Sequence, residues 1–454
     1  MHQYSIFFKL FLLSCLTFLI TLFSVQYIGE ESVYTLQSSE MLHTGNYLIA
    51  TEYGDYYRRP PLFNWLIIFF TQIIGEQNLL QSARIVSALS TIASGLLIRK
   101  FVRDTWGTAT MGDTAALIFI TSWQPLLYYG WLGYSDALFS ALSVTAIFAT
   151  WLWLDSKKKI WLLLASIALL SGVMTKAITI YAFYGSFVLS YLIIQRRLRP
   201  FLNFSFILSH LCIFALMATW SHFLYNQGLL SILNFLGDPT GKFTPYTLTS
   251  YLTTLIEYLF QGLVVYFLPW SFVIAYLTLK KKINYLHISN DKKLNVLLLT
   301  TALSIFPYLL APHGSHRYIL PLYALLACVL AVIFYSKKTP PKLIYSVAIW
   351  AISFKVIAAS VLYPMYISYK RPNIEDISNK ILLIADGKPI YSKHFGWEGF
   401  AISTEINKKR KNNLVQKYTH DLEEGYVFSQ GKLEGENNSL DLSFNIYLTN
   451  LNHN

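Results

Sequence analysis

The sequence is poor in charged residues and in cysteine. Only 13% of its 454 residues are charged, whereas 54% are hydrophobic and the mean hydropathy is +0.42. Soluble domains carry about 25% charged residues, so this composition excludes an ordinary soluble protein. The cysteines, Cys15, Cys212 and Cys328, all lie in apolar stretches. Their positions favour small buried side chains over a disulfide framework or a metal site.

Apolar runs long enough to cross a bilayer recur over residues 1–363. A membrane-spanning helix needs about 20 mostly apolar residues. The pattern predicts an all-α polytopic membrane protein with about 11 transmembrane helices, within a range of 11 to 13. The candidate spans are 5–27, 82–102, 109–130, 135–154, 160–175, 177–195, 201–224, 251–279, 294–312, 317–335 and 343–363. The first run lacks a small-residue cleavage site before Gly29, so we interpret it as a retained anchor.

The distribution of lysine and arginine between the loops predicts the topology. One set of alternate loops holds 17 basic residues and the other set, before the C-terminal tail, holds 6, so the positive-inside rule places the first set in the cytoplasm. This count requires that the short apolar run 62–75 does not cross the membrane. We interpret that run as an interfacial or re-entrant helix introduced by Pro60 and Pro61. The N-terminus is then cytoplasmic and the tail periplasmic; a crossing run would reverse the N-terminal anchor.

Two regions outside the spans are large. The first periplasmic loop, 29–81, contains a helical stretch that Gly45 closes as a C-cap. After the transmembrane domain, 1–363, the composition shifts to Lys, Glu, Asn and Gly. The segment 380–392 has the pattern of strands around a turn, so the tail, 364–454, is predicted to be a small α/β extramembrane domain.

Acidic residues on the outer side are few enough to consider singly. Glu30 and Glu31 follow the first span, where a carboxylate can act as a general base or can simply favour the start of a helix. Asp136 begins a later span, where an aspartate also serves as a helix N-cap. Because Glu30 and Asp136 are predicted at the same outer face, they have the arrangement that a paired-carboxylate site needs.

Two adjacent arginines stand at the mouth of the run 62–75. Arg58 and Arg59 precede Pro-Pro on the side where basic residues are depleted. A guanidinium offers paired donors in a fixed geometry, which suits a phosphate or pyrophosphate. Contact with lipid head groups is the alternative.

Further basic residues are predicted to emerge on the outer side. Lys176 and Arg317 each lie beside a span and can bind the phosphate of a lipid carrier. His313 and His316 flank the same segment as Arg317, and such a pair of histidines is weak evidence for a metal. An interfacial position explains each histidine taken singly.

In their order along the chain, these residues resemble those of a known family. Residues 5–330 resemble the membrane glycosyltransferases with the GT-C fold, in particular bacterial relatives of protein O-mannosyltransferases and of the aminoarabinose transferase that modifies lipid A. The matching positions are Glu30 and Glu31 in EESVY, Arg59 in RRPPLFNWL, Asp136, Lys176 and RYILP at 317–321.

The sequence departs from the family pattern at two of these places. Glu30 stands where the family usually has aspartate, and the extra methylene moves a carboxylate by about 1 Å, which is enough to affect catalysis. Arg58 stands where the lipid A enzymes have an acidic residue implicated in metal binding. This difference argues against carrying over a zinc site, and it weakens the case for lipid A as the acceptor.

The resemblance implies an inverting transfer of a sugar from a polyprenyl-phosphate donor to a periplasmic acceptor, which can be lipid A or lipopolysaccharide, a polysaccharide or a protein. Glu30, with Glu31 beside it, would deprotonate or orient the acceptor, and Asp136 would assist it or position the sugar. The donor phosphate would be bound by Arg58, Arg59, Lys176, Arg317 and His316.

No nucleotide cofactor and no nucleic acid is implied, and a divalent metal is possible but unsupported by the residues. The family implies the bacterial inner membrane. The alternatives are a transporter or flippase of lipid-linked sugars, in which the same groups would line a path, and a polysaccharide polymerase or ligase. The sugar and the acceptor cannot be read from the residues.

Overall fold

The computed structural model describes residues 5–56, 60–227, 248–280, 290–309, 315–336, 340–394, 396–422, 424–433 and 439–451. Most of these residues are helical. The α-helices are α1 (Ile6–Ser24), α2 (Glu31–Thr44), α3 (Leu62–Ile74), α4 (Leu79–Trp106), α5 (Ala109–Thr121), α6 (Trp123–Leu127), α7 (Ser135–Ser156), α8 (Lys159–Lys176), α9 (Ile180–Gln195), α10 (Phe204–Asn226), α11 (Leu248–Leu255), α12 (Trp270–Leu279), α13 (Lys292–Leu309), α14 (Leu320–Ser336), α15 (Pro341–Ile357), α16 (Tyr363–Lys370), α17 (Ile374–Ala385) and α18 (Trp397–Lys409). Two π-helical segments, Ile256–Val265 and Ala358–Leu362, continue α11 and α15.

The structure confirms a multi-pass helical membrane protein. Within the described residues, seven helical stretches are long and apolar enough to cross a bilayer, and a bent pair can supply an eighth. They are Ile6–Ser24, Glu76–Trp106, Ser135–Ser156, Lys159–Lys176, Phe204–Asn226, His316–Tyr335 and Pro341–Lys370. Three shorter apolar helices are Leu62–Ile74, Ala109–Thr121 and Ile180–Gln195. The exact number of 11 crossings stays a prediction.

Two of the predicted spans are not single straight helices. The run 109–130 breaks at Ser122, which is extended (φ −67°, ψ 143°), before the short helix α6. The run 251–279 bends by 84° between Thr249–Val265 and Trp270–Leu279. Pro269 stands at this bend, and proline has no N–H to continue the helical ladder. Apolar length alone does not reveal such breaks.

The chain divides into two compact units. The larger comprises Met1–Leu19, Ser87–Trp131 and Ser135–Val356. Its helix α7 is buried along most of its length. Aromatic rings pack against one another in this unit. Phe101 stacks on Phe148 with centroids 3.8 Å apart, and Trp151 meets Phe101 edge-on at 5.4 Å. Such packing holds α4 and α7 together within this unit.

The smaller unit comprises Ile20–Val86, Leu132–Tyr134 and Ile357–Asn454. It contains the helices α2, α3, α17 and α18 and two sheets. The strands are β1 (Thr51–Glu52), β2 (Asp55–Tyr56), β3 (Ile390–Ser392), β4 (Gln416–Lys417), β5 (Tyr426–Gln430), β6 (Ser439–Ser443) and β7 (Ile446–Asn450). The larger sheet has the order β4-β3-β5-β7-β6, with β3 parallel to β4 and β5 and the remaining pairs antiparallel. Helices and strands therefore mix in the tail, as an α/β fold requires.

The loop 29–81 contains the predicted helix, and Gly45 caps it. Gly45 is left-handed (φ 70°), and its N–H donates to the Met41 carbonyl at 3.1 Å. The run 62–75 forms the 13-residue helix α3, which is short for a span. One face of α3 buries Phe63 and Ile67, while Phe69 and Ile73 are exposed on another. Its interfacial position stays a prediction.

The prediction of strands around a turn at 380–392 is wrong in its first half. Residues 374–385 form helix α17, capped by Asn373, whose side chain accepts from the Asp376 N–H at 3.3 Å. Ile374, Ile377 and Ile381 face the core at helical spacing. The period is visible only from residue 374, so a window that begins at 380 misses it. Asp386 then ends the helix in the left-handed conformation (φ 43°), and only β3 is a strand.

Candidate active site

Three of the predicted site residues meet in the larger unit. Asp136 lies in the first turn of α7 and is 2% exposed. The Lys176 ammonium, at the end of α8, is 2.5 Å from Asp136 Oδ1, and Arg317 Nε is 4.0 Å from Oδ2. A single carboxylate therefore lies between two cations that come from distant parts of the chain. We call these three residues the Asp136 cluster.

The Asp136 cluster lies among aromatic rings. Lys176 Nζ is 4.9 Å from the centroid of the Tyr318 ring and 5.5 Å from that of Phe139. The Arg317 guanidinium is 5.3 Å from the Tyr318 ring. Arg317 is 8% exposed, so water screens these charges little. Two cations around one buried carboxylate leave an excess of positive charge, which suits an anionic group such as a phosphate.

His316 precedes Arg317 but faces a different partner. Its backbone N–H donates to Glu257 Oε1 at 3.3 Å, and its ring Nδ1 is 3.7 Å from the same oxygen. The imidazole stacks on Tyr266 with centroids 4.1 Å apart and an interplanar angle of 14°. Glu257 was not among the predicted site residues. It is the sole acidic residue in the apolar run 251–279, and since a charged side chain inside a span is costly, its presence there was a signal of function.

In the smaller unit, Glu31 forms a buried ion pair. Its side chain is fully buried and accepts from Arg84 Nε at 2.8 Å and from Arg84 Nη2 at 2.7 Å. The backbone N–H groups of Ile28 and Gly133 also donate to this carboxylate, at 2.8 and 2.7 Å. Four donors thus satisfy the two oxygens. This environment is typical of a structural carboxylate.

Arg84 connects that carboxylate to the end of the first span. Its guanidinium donates to the backbone carbonyls of Val25 at 2.6 Å and Gln26 at 3.0 Å, and more weakly to those of Thr21 and Leu22. Thr21 and Leu22 lie in the last turn of α1, whose carbonyls lack intrahelical partners, and Val25 and Gln26 directly follow the helix. The sequence reasoning counted Arg84 only as an outer basic residue and missed this role.

Glu30 differs from its neighbour in exposure. It is the N-cap of α2 and is half-buried, whereas Glu31 is fully buried. Its backbone N–H donates to the Tyr134 hydroxyl at 2.8 Å, and that hydroxyl donates to the Ile28 carbonyl at 3.3 Å. The backbone of Glu30 is therefore held in place while its side chain is partly accessible. Of the two acids, Glu30 is the more exposed.

Some predicted residues cannot be placed. Arg58, Arg59 and His313 lie outside the described residues. Over the part of the chain that the structure describes, no group of three or more His, Cys, Asp or Glu side chains could hold a metal ion. The structure thus joins Asp136 to Lys176 and Arg317, while the pairing of Glu30 with Asp136 stays a prediction.

Comparisons with known proteins place part of the sequence in context. Residues 58–225 match the family model described as dolichyl-phosphate-mannose-protein mannosyltransferase. An undecaprenyl phosphate-alpha-4-amino-4-deoxy-L-arabinose arabinosyl transferase from Pseudomonas savastanoi pv. phaseolicola is 30% identical over 184 residues, which cover 39% of this chain and 34% of that relative. A second such transferase, from Pseudomonas fluorescens Pf-5, is 30% identical over 188 residues, 40% of this chain and 31% of the relative. The matches thus span about a third of the length of these curated relatives.

Solved structures show the fold over nearly the whole chain. ArnT from Cupriavidus metallidurans bound to undecaprenyl phosphate aligns with a TM-score of 0.71 and 11% identity, covering 97% of both chains. The apo form of the same protein aligns with a TM-score of 0.68. The GT-C fold predicted from the resemblance is confirmed.

Proposed function

We propose that this protein is an inverting membrane glycosyltransferase that moves a sugar from a polyprenyl-phosphate donor to a periplasmic acceptor. The observation that carries the proposal is the Asp136 cluster, in which one buried carboxylate lies between two cations at the ends of membrane helices. The relatives named as transferases of an undecaprenyl-phosphate sugar support the donor class. The fold, shared with a protein solved with undecaprenyl phosphate bound, supports it as well.

In the proposed reaction, an acceptor atom attacks the anomeric carbon of the sugar from the side opposite the phosphate. A new bond forms at that carbon, the bond from the carbon to the phosphate oxygen breaks, and polyprenyl phosphate leaves with the electron pair. Negative charge therefore grows on the phosphate in the transition state. Lys176 and Arg317 stabilise this charge, in a buried setting where fixed cations act strongly.

Asp136 acts chiefly on the cations in this proposal. Its Oδ1 holds the Lys176 ammonium at 2.5 Å, and its Oδ2 faces Arg317 at 4.0 Å. The carboxylate therefore fixes where the two positive charges lie before the donor binds, and it can contact the sugar once the phosphate engages them. Preset charges avoid reorganisation during the reaction.

Glu30 is the proposed base. Its carboxylate takes the proton from the attacking acceptor group as the new bond forms, which keeps the proton count balanced. The partial exposure of Glu30 supports this role, and the four donors on Glu31 support a structural role for that neighbour. Arg58 and Arg59 are proposed as further phosphate ligands on the basis of the sequence alone.

The proposed location is the bacterial inner membrane, with the N-terminus in the cytoplasm and the site and the tail in the periplasm. The positive-inside bias of the loops supports this orientation.

Sugar transfer by purified protein tests the proposal. Wild type and the variants Glu30→Gln and Asp136→Asn would be incubated with a set of synthetic polyprenyl-phosphate sugars, and transfer or donor hydrolysis would be measured. The matched control is Asp104→Asn, which removes an acid that is paired with Lys100 at 2.6 Å in the same unit as Asp136. We expect activity in wild type and the control and its loss in the two site variants.

Two results would contradict the proposal. Full activity in either site variant would remove that residue from the chemistry. A wild type that is inert towards every donor, yet moves labelled lipid-linked sugar across liposome membranes, would replace the enzyme with a transporter.

A further inference from the structure

A cavity of about 570 Å³ lies in the smaller unit, and its lining includes neither Asp136 nor Glu31. Four segments form its wall: the end of α1 with the residues that follow it, the helix α16 with the residues that follow it, the helix α17, and the turn between β6 and β7. The residues used below are Ser24, Gln26, Arg371, Asp376, Lys380 and Phe444. We call this space the α16 cavity.

The α16 cavity lies where two membrane helices end. The span Ile6–Ser24 ends at Ser24, and the span Pro341–Lys370 ends one residue before Arg371. Near the end of the second span, Tyr366 and Tyr369 are 57% and 77% exposed. Exposed tyrosines at the ends of spans mark the membrane–water interface. The cavity therefore opens at the level of the lipid head groups.

Among the described residues that line the α16 cavity, basic groups outnumber acidic ones. Within the described residues, neither Arg371 nor Lys380 forms an ion pair, while Asp376 supplies one acidic side chain to the wall. Arg371 Nη1 is buried and has no hydrogen-bond partner among these residues. The Arg371 guanidinium lies over the Trp397 ring at 4.6 Å, which limits its movement. A buried donor without an acceptor is unfavourable, and an anionic oxygen would supply the missing acceptor.

An exposed aromatic side chain stands beside these charges. Phe444, in the turn between β6 and β7, is 54% exposed and lines the cavity. The turn residues Ser443, Phe444 and Asn445 all have positive φ (122°, 51° and 62°), although none is glycine. Non-glycine residues adopt this region at a cost, and such strain accumulates at functional sites. The turn thus holds an apolar ring outward at the membrane surface.

We propose that the α16 cavity binds the head group of a membrane lipid that carries a phosphate. Arg371 and Lys380 contact the phosphate, the polar groups of Ser24 and Gln26 line the head group, and Phe444 packs against the start of the acyl chains. Arginine suits this task because its donors match phosphate oxygens in pairs. An ordinary anionic phospholipid and a lipid acceptor share this chemistry. The inference does not depend on the proposed function, because it concerns lipid retention.

Native mass spectrometry of the full-length protein, released from detergent, tests the inference. The probes are phosphatidylglycerol, a galactosyl diacylglycerol that has no phosphate, and inorganic phosphate. The double variant Arg371→Gln/Lys380→Gln removes both cavity charges. The matched control Lys393→Gln/Lys432→Gln removes two exposed lysines of the same unit, each near a tyrosine ring.

We expect wild type and the control to retain phosphatidylglycerol, and the cavity variant to bind it at least about tenfold more weakly, which corresponds to about 1.4 kcal/mol. Phe444→Ser, a surface change that tests the second contact, should also weaken phosphatidylglycerol binding. Equal retention of the two lipids, or equal retention by the cavity variant and the control, would overturn the inference. Binding of inorganic phosphate as tight as that of phosphatidylglycerol, and unaffected by Phe444→Ser, would overturn the lipid assignment in favour of a free anion.

Discussion

Replacing Arg84 with methionine would separate structural from chemical roles among the acids that follow the first span. Arg84 donates twice to the Glu31 carboxylate and also to the carbonyls at the end of α1. Methionine has a similar length and no charge, so the fold keeps most of its packing. The Glu31 carboxylate, fully buried, then loses its counter-ion.

The expected loss of stability follows from the burial of this pair. Both side chains have 0% exposure, so solvent does not compensate for the missing partner. Removing one member of a buried ion pair costs about 3–5 kcal/mol. The double variant Arg84→Met/Glu31→Gln removes the uncompensated charge and keeps one acceptor oxygen, for one of the two N–H groups of Ile28 and Gly133 that donate to Glu31. We therefore expect it to recover at least about half of the loss, as coupled residues do in a double-mutant cycle.

Unfolding by SDS in mixed micelles, followed by tryptophan fluorescence, would measure these differences. The four proteins of the cycle are wild type, Arg84→Met, Glu31→Gln and the double variant. Strictly additive effects of the two single changes would refute the reasoning, because the coupling energy would then be zero. Transfer activity per folded molecule adds a second measurement. Glu31→Gln should reduce the folded fraction more than activity per folded molecule, and Glu30→Gln should do the reverse.

Three further predictions concern single positions. Lys176→Met should lower kcat/KM for donor transfer at least about 100-fold, since one electrostatic contact to the transition state is worth that much; Lys100→Met, which breaks another ion pair of the larger unit, should leave it unchanged. Burial raises the pKa of Glu40 from 4.5 to about 7, so the stability that this group contributes is complete below pH 4.5 and is lost as the pH rises through 7. The opening free energy of the hairpin β1–β2, measured by hydrogen exchange and corrected for intrinsic rates, should fall by on the order of 3 kcal/mol over this pH window. Glu40→Gln should remove this dependence on pH. Gly133→Ala should cost about 1–3 kcal/mol in the SDS titration, because its Cβ would lie 2.8 Å from a neighbouring Cβ, whereas Gly185→Ala, with no atom within 4 Å, should be near neutral.

The fold class was predictable from the composition because a bilayer allows few backbone structures. Scarce charge and recurring apolar runs require helices that satisfy their own backbone groups, and the structure has them. Breaks within those runs were not predictable from hydropathy. Ser122 interrupts a run that is apolar over most of its length, and the 84° bend at Pro269 lies inside another such run. The predicted strand at the start of 380–392 was wrong because helix α17 begins at Ile374, before that segment.

Single members of the site were predictable, but their contacts were not. Asp136, Lys176 and Arg317 stand out because ionisable residues beside spans are costly and few. They are 40 and 141 residues apart along the chain, so no local pattern indicates that they touch. Glu257 was missed for the opposite reason, because one acid does little to the apolar average of a long run.

The ion pairs change what the acidic residues beside the spans can be expected to do. Two carboxylates in a catalytic site usually act as acid and base, and Glu31 and Asp136 both lie at positions in the sequence where such residues are expected. In the structure, however, each has a cation within 2.7 Å, so each carboxylate is already engaged in an ion pair. A general base needs a lone pair that the acceptor can reach. Among these three acids, Glu30 is the most exposed, and for that reason the role of base is proposed for the acid at which the sequence departs from the pattern of the family it resembles.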